Sequence, residues 1–271
     1  MEFLPEIKEK DANGKILLIY NDIKEITGFP LVNLIFRSMA TINGCLETSW
    51  FTLRPLYLNQ SIQQSASYYF TKNKFEFNDS INLSDLNNRQ KLILNNTLDI
   101  YFFLNPVNLI GLYTLKYLFE KPKKEFSHSV NSIVNRKGHN QKEILPLSDL
   151  NKINSRANEA LHTLSRKLSN KQPLIIPSLF RHLTDWPALL ESLIPILDNL
   201  LNSCDFNEQL KLLDDYCYSE AYKFQKNIKL KYTEGSIEGI KNKVDDLCLQ
   251  FPKNMCIMTL IAYYLKTSIK E

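Results

Sequence analysis

Glycine is scarce here, with seven in 271 residues. A β architecture that turns every roughly 8–12 residues needs more such turn chemistry. The shortage, beside a wealth of Leu, Ile, Lys, Asn and Glu, favours helices. C-x-x-C pairs are missing too. The five cysteines, Cys45, Cys204, Cys217, Cys248 and Cys256, are scattered, which argues against a disulfide framework and against dithiol redox chemistry. Four histidines, His128, His139, His162 and His182, form no ligand-like cluster, so neither a metal nor any other cofactor is implied. No sign of charge dominates. Against 29 acidic residues stand 33 basic ones, a net charge of +4, which describes a mixed surface and gives no basic field for nucleic acid. The basic run Lys121-Pro122-Lys123-Lys124 has no interleaved aromatics and reads as solvated linker. An unbroken apolar span is also lacking. The stretch Leu98 to Phe119 is long enough to cross a bilayer, but it contains Asp99, Asn105, Pro106, Asn108 and Lys116. Those groups are costly in lipid, so a buried helix pair is expected, with no membrane partner. The opening residues Met1-Glu2-Phe3-Leu4-Pro5-Glu6 are acidic where a secretory signal is basic, and the expectation is a cytoplasmic protein.

What the chain does have is apolar material, 44% of its residues, enough for a packed core. Leu34, Ile35, Met39, Leu46, Trp50, Leu53 and Leu56 recur at helical spacing, interrupted at Asn43-Gly44, and predict two helices joined by a tight turn. A polar segment, Lys121 to Lys142, separates two regions of dense helical pattern. Across it the sequence echoes itself. Phe36-Arg37-Ser38-Met39 returns 144 residues later as Phe180-Arg181-His182-Leu183, and Leu46-Glu47-Thr48 returns at the same offset as Leu190-Glu191-Ser192. Pro106-Val107-Asn108 returns 146 residues later as Pro252-Lys253-Asn254. Each repeat has an apolar face too large to be left wet, and packing one against the other buries it. The expected fold is all-α, two tandem helical repeats forming an intramolecular pseudo-dimer. The units are residues 1–120, a linker over 121–150, and residues 151–271.

Gly28-Phe29-Pro30, Phe36-Arg37, Ala40-Thr41 and Leu46 to Trp50, then Gly138-His139, Leu145-Pro146-Leu147, Phe180-Arg181-His182-Leu183 and Asp185-Trp186-Pro187, come in an order that resembles the group I 2-haloacid dehalogenases over nearly the whole chain. Singly these motifs are unspecific. What the resemblance implies is an active site between the repeats, where an Asp-activated water displaces halide from C2 of a short 2-haloacid without a covalent intermediate. Such chemistry needs a carboxylate base, a polar group to aim the water, and apolar walls. By resemblance Asn105 is the water-positioning residue, and Ser178 offers a hydroxyl and backbone N–H to a substrate carboxylate. The family's aromatic wall positions fall on Leu31 and Leu34, and a Tyr of the last helix falls on Phe251. The catalytic Asp falls on Leu179, which cannot take a proton. Losing a general base removes a factor of about 10²–10⁴ in rate, so little or no dehalogenation is expected.

Other carboxylates near these motifs have plainer readings. Asp185 reads as a helix-end or N-cap residue, and Glu47 and Glu191 as exposed helix-face charges. Asn105-Pro106 reads equally as an N-cap with Pro as first helical residue. Arg37 and Arg181 suit a carboxylate clamp, but their presence in both repeats fits a structural role. His182 reads as a structural hydrogen-bonding group, and Trp50 and Trp186 as core. Three functions follow from this: a hydrolase of dehalogenase type, if active; a non-catalytic protein that binds a small organic acid; and a helical scaffold for protein partners. A homodimer stays open. An alkylhydroperoxidase-like alternative is disfavoured for want of a C-x-x-C.

Overall fold

The structure is a computed structural model; it describes residues 3–73, 75, 81, 83–121, 124–126, 143–168 and 174–269. Gly138, His139, His128 and most of the expected linker lie outside the described residues.

Eleven α-helices are present among the described residues: α1 (Gly14–Thr27), α2 (Leu34–Met39), α3 (Cys45–Leu58), α4 (Ser61–Lys72), α5 (Asn88–Glu120), α6 (Ser155–Leu168), α7 (Ser178–Leu183), α8 (Pro187–Asn202), α9 (Cys204–Phe224), α10 (Ile237–Gln250) and α11 (Pro252–Ile269). The protein is all-α. The remaining regular structure is a 3-10 turn at Glu9–Asp11 and two three-residue strands, β1 (Lys124–Phe126) and β2 (Leu230–Tyr232), paired in parallel.

Helix ends follow local chemistry. The Asn87 side chain accepts from the Gln90 backbone N–H while Gln90 reaches back, a capping box that starts α5. Asn33, Ser203 and Ser236 cap α2, α9 and α10 in the simpler way. The expected break at Asn43-Gly44 is there. Gly44 has φ 73, and a Cβ on it would meet the Glu234 backbone oxygen at 1.9 Å, so only glycine lets these two loops touch.

α5 is the axis. Its 33 residues span about 50 Å, and it packs against α11, α9, α4 and α10. The 18-residue window of α5 that is apolar enough to cross a membrane is 83% buried inside the protein. Two expectations need correction here. Leu98 to Phe119 is part of one continuous helix and not a helix pair, and Asn105-Pro106 lies inside that helix and does not start one. Proline removes one backbone N–H and crowds the carbonyl four residues before it, but dense packing on both sides of Pro106 keeps the helix running. At the matching point, α10 ends at Gln250, Phe251 is its C-cap and Pro252 opens α11. Phe251 is therefore a junction residue and not part of the last helix.

Helix lengths run 14, 6, 14, 12 and 33 residues from α1 to α5, then 14, 6, 16, 21, 14 and 18 from α6 to α11. The amino-terminal segment contacts chain near it and chain far along the sequence. Phe3 bridges Leu174, the Ile7 N–H donates to the Arg37 carbonyl at 3.0 Å, and the Tyr20 hydroxyl donates to the Ile7 carbonyl at 2.9 Å.

Candidate functional site

Two short helices bring the site together. α2, begun by the Asn33 cap, carries Arg37 in its last turn; α7 begins with Ser178 and carries Arg181 and His182 in its last turn. Six-residue helices are too short to persist alone; both are held by burial, five of six side chains in α7 and all six in α2. Across from them runs α5, presenting Tyr101 and Asn105 four residues apart on one face.

Between these elements lie two adjoining chambers that share Tyr101 and Ser178. The larger encloses about 540 Å³ and is walled by Leu31, Arg37, Arg181 and His182. The residues Ile144 to Leu147 form another side, and Glu6 to Lys10 of the amino-terminal segment a third. The smaller holds about 40 Å³ beside Leu34, Asn105, Leu179, Phe251, Met255 and Met258. All six residues expected from sequence thus line one chamber or the other: Leu31 the larger, Ser178 both, and Leu34, Asn105, Leu179 and Phe251 the smaller.

The larger chamber is organised around a carboxylate that sequence reasoning missed. Glu6 meets Arg37 Nε at 2.6 Å and Arg181 Nη1 at 3.4 Å. Arg37 also donates to the Val32 carbonyl at 3.1 Å and to Ser178 Oγ at 3.4 Å, and Arg181 to the Ser148 carbonyl at 2.8 Å. Both arginines are buried, 3% and 6% exposed. Burial lowers the Arg181 pKa, against the pull of Glu6 and with the repulsion of Arg37.

His182 sits 2.7 Å from the Tyr101 hydroxyl through Nδ1, the structural hydrogen bond expected of it. Burial first, then Arg181 and Arg37, push its pKa down to about 3, against a hydrogen bond to the Leu145 backbone. The imidazole is therefore neutral at pH 7; with its ring N–H given to the Leu145 backbone, Nδ1 accepts a hydrogen bond from the phenol. Burial also raises the Tyr101 pKa, so the phenol stays protonated. In the smaller chamber Leu179 is fully buried, and the Asn105 Nδ2 has no hydrogen-bond partner among the described residues. No carboxylate lines it.

Remaining carboxylates lie elsewhere. Glu47 is buried, 8% exposed, which corrects the expectation of an exposed helix-face charge; it lies near Glu234 and Lys15, and burial raises its pKa. Glu191 is held by Arg156 at 2.5 Å. Asp185 lies between α7 and α8, exposed, 3.5 Å from Ser148 Oγ; Trp186, not Asp185, is the N-cap of α8. Trp50 and Trp186 are core. No group of three or more His, Cys, Asp or Glu residues able to hold a metal ion exists among the described residues. Tyr101 was findable, because it stands one helical turn before Asn105. Glu6 was not, because its partners lie 31 and 175 positions away.

No protein-family model and no curated protein matches the chain. Solved structures do. A complex of D-2-haloacid dehalogenase with L-LA superposes with a TM-score of 0.73 at 14% identity, covering 99% of this chain and 97% of that one. A D-2-haloacid dehalogenase mutant with D-2-CPA gives 0.68 at 13% identity, covering 98% and 96%. A further D-2-haloacid dehalogenase mutant gives 0.68 at 14% identity, covering 99% and 96%. At such identity the likeness is one of fold: this chain has a 2-haloacid dehalogenase-like fold.

Proposed function

We propose that this protein is a divergent 2-haloacid dehalogenase-like protein that takes a small organic acid into the cleft between two duplicated helical units, residues 1–120 and 151–271, and hydrolyses it little or not at all. The duplication is supported by the similar lengths of the first three helices of each unit, 14, 6 and 14 residues against 14, 6 and 16, and by the paired Phe-Arg motifs in α2 and α7. The observation that carries the functional reading is the lining of the two chambers. The larger offers guanidinium and hydroxyl donors suited to a carboxylate. The smaller keeps Asn105 but has Leu179 where resemblance puts the base, and no acidic residue lines it.

Glu6 does not fill the role of that base. Its carboxylate is held by two guanidiniums, and it lines only the larger chamber. An open chamber of about 540 Å³ also fits ligand binding better than a pure scaffold, whose core would be closed.

The test is a thermal-shift series with propionate, lactate and 2-chloropropionate, run beside a chloride-release assay. Ligands that bind the native state raise the melting temperature by mass action. The reading expects a concentration-dependent rise with the acids and chloride release no faster than buffer. Rapid chloride release overturns the loss of hydrolysis, and no shift with any acid overturns the binding.

A further inference from the structure

Charge does not balance in the larger chamber. Two buried guanidiniums, which stay protonated in proteins, face one carboxylate, Glu6. His182 and Tyr101 are neutral there. Charges at the mouth do not make up the deficit. Lys10 faces Asp149 at 3.3 Å, Glu9 is taken by Lys24 at 3.1 Å and by the Val32 N–H at 2.8 Å, and Lys8 adds a further cation. Arg181 is the one of the pair farther from the carboxylate. Its contact with Glu6 is the longer, 3.4 Å against 2.6 Å for Arg37, while the Nε of each guanidinium lacks a hydrogen-bond partner among the described residues. A buried cation without a matching anion is costly, and this one borders a chamber with room for a ligand.

We infer that the Arg37–Arg181 pair is the anchor for the ligand's carboxylate, with Glu6 as a built-in counter-charge that neutralises one guanidinium and leaves the other, Arg181, for a monocarboxylic acid. The inference rests on the proposed acid-binding function and deepens it: the ligand carries one negative charge, and its acid group lies at Arg181 beside Ser178. Glu6 sets affinity by competing for the same donors. Removing its charge exposes both guanidiniums and strengthens binding, whereas a purely structural triad predicts no gain at all.

Calorimetric titration of the full chain with sodium lactate, against the neutral isostere lactamide at fixed ionic strength, tests it. Glu6→Gln is expected to tighten lactate binding on the order of tenfold, and Arg181→Gln to weaken it on the order of tenfold, as for a charge-assisted hydrogen bond gained or lost. Lactamide should bind neither form. If Arg181→Gln does not fold, Arg181→Lys, which keeps the charge and loses the fork, takes its place and should bind more weakly than wild type. Lactate affinity unchanged or weakened by Glu6→Gln in a wild type that binds lactate overturns the inference and leaves the acid-binding function standing. Lactamide binding as tight as lactate overturns it as well. Binding by Glu6→Gln alone, with a silent wild type, supports the arginine anchor and refutes acid binding by the native protein.

Discussion

The two chambers share Tyr101 and Ser178 and differ in nearly everything else. The larger is built from charge: Arg37, Arg181 and Glu6, with the Lys10–Asp149 ion pair also in its lining. The smaller is built from Leu34, Leu179, Phe251, Met255 and Met258, with the Asn105 amide as its isolated donor. The difference teaches that holding an anion and activating water are separable. On the proposed reading, the groups for the first are assembled by α2 and α7 together, while the second depends on one side chain at the second position of α7, and that side chain is leucine.

The sharpest way to break the contrast is to remove charge from the larger chamber. Arg37→Met leaves Glu6, whose side chain is 13% exposed, with only its more distant partner, and breaking a largely buried pair in this way costs about 3 kcal/mol or more; urea denaturation measures it. Adding charge to the smaller chamber tests the other side. Leu179→Asp, which leaves a void and buries a carboxyl, is expected to cost about 2–4 kcal/mol. Because Asn105 is already in place, the variant should also release chloride from 2-chloropropionate up to about 10²-fold faster than wild type, as read by ion chromatography.

A pH titration separates the chambers more gently. The native imidazole of His182 refuses a proton until about pH 3, whereas the unfolded chain takes it up near pH 6.5. Stability is therefore full above that pH and falls as pH drops below it, by about 2 kcal/mol between pH 6.5 and pH 5. His182→Gln should remove that part of the slope. The smallest effect belongs to Asn105→Leu. Its Nδ2 has no hydrogen bond to lose, so the change in stability should stay within about 1 kcal/mol.

Legibility in the sequence followed locality. The break at Asn43-Gly44 and the helical faces around Trp50 depend on neighbours, and periodicity revealed them. Pro106 did not obey its local signal, because burial of α5 on both sides overrides what a single proline disfavours. The phenylalanine at 251 was expected on the last helix for the same reason: the α10–α11 junction is set by packing. Glu47 was expected outside, since nothing in its own turn reveals that chain near Glu234, far on in the sequence, packs close to it. Leu31, Leu34, Asn105, Ser178, Leu179 and Phe251 came in through the order of motifs that carries the resemblance, and they line the two chambers, whereas Arg37 and Arg181 had been read as structural. Glu6 and the Ile144–Leu147 wall, brought in from distant sequence, were not legible.

Titration calorimetry of the wild-type chain with 2-chloropropionate tests the central claim most directly, because occupancy and turnover leave different heats. The account predicts injections that saturate near one ligand per chain, each returning to baseline. A sustained displacement of the baseline, the heat of continuing halide release, would contradict it, as would the absence of any saturable heat.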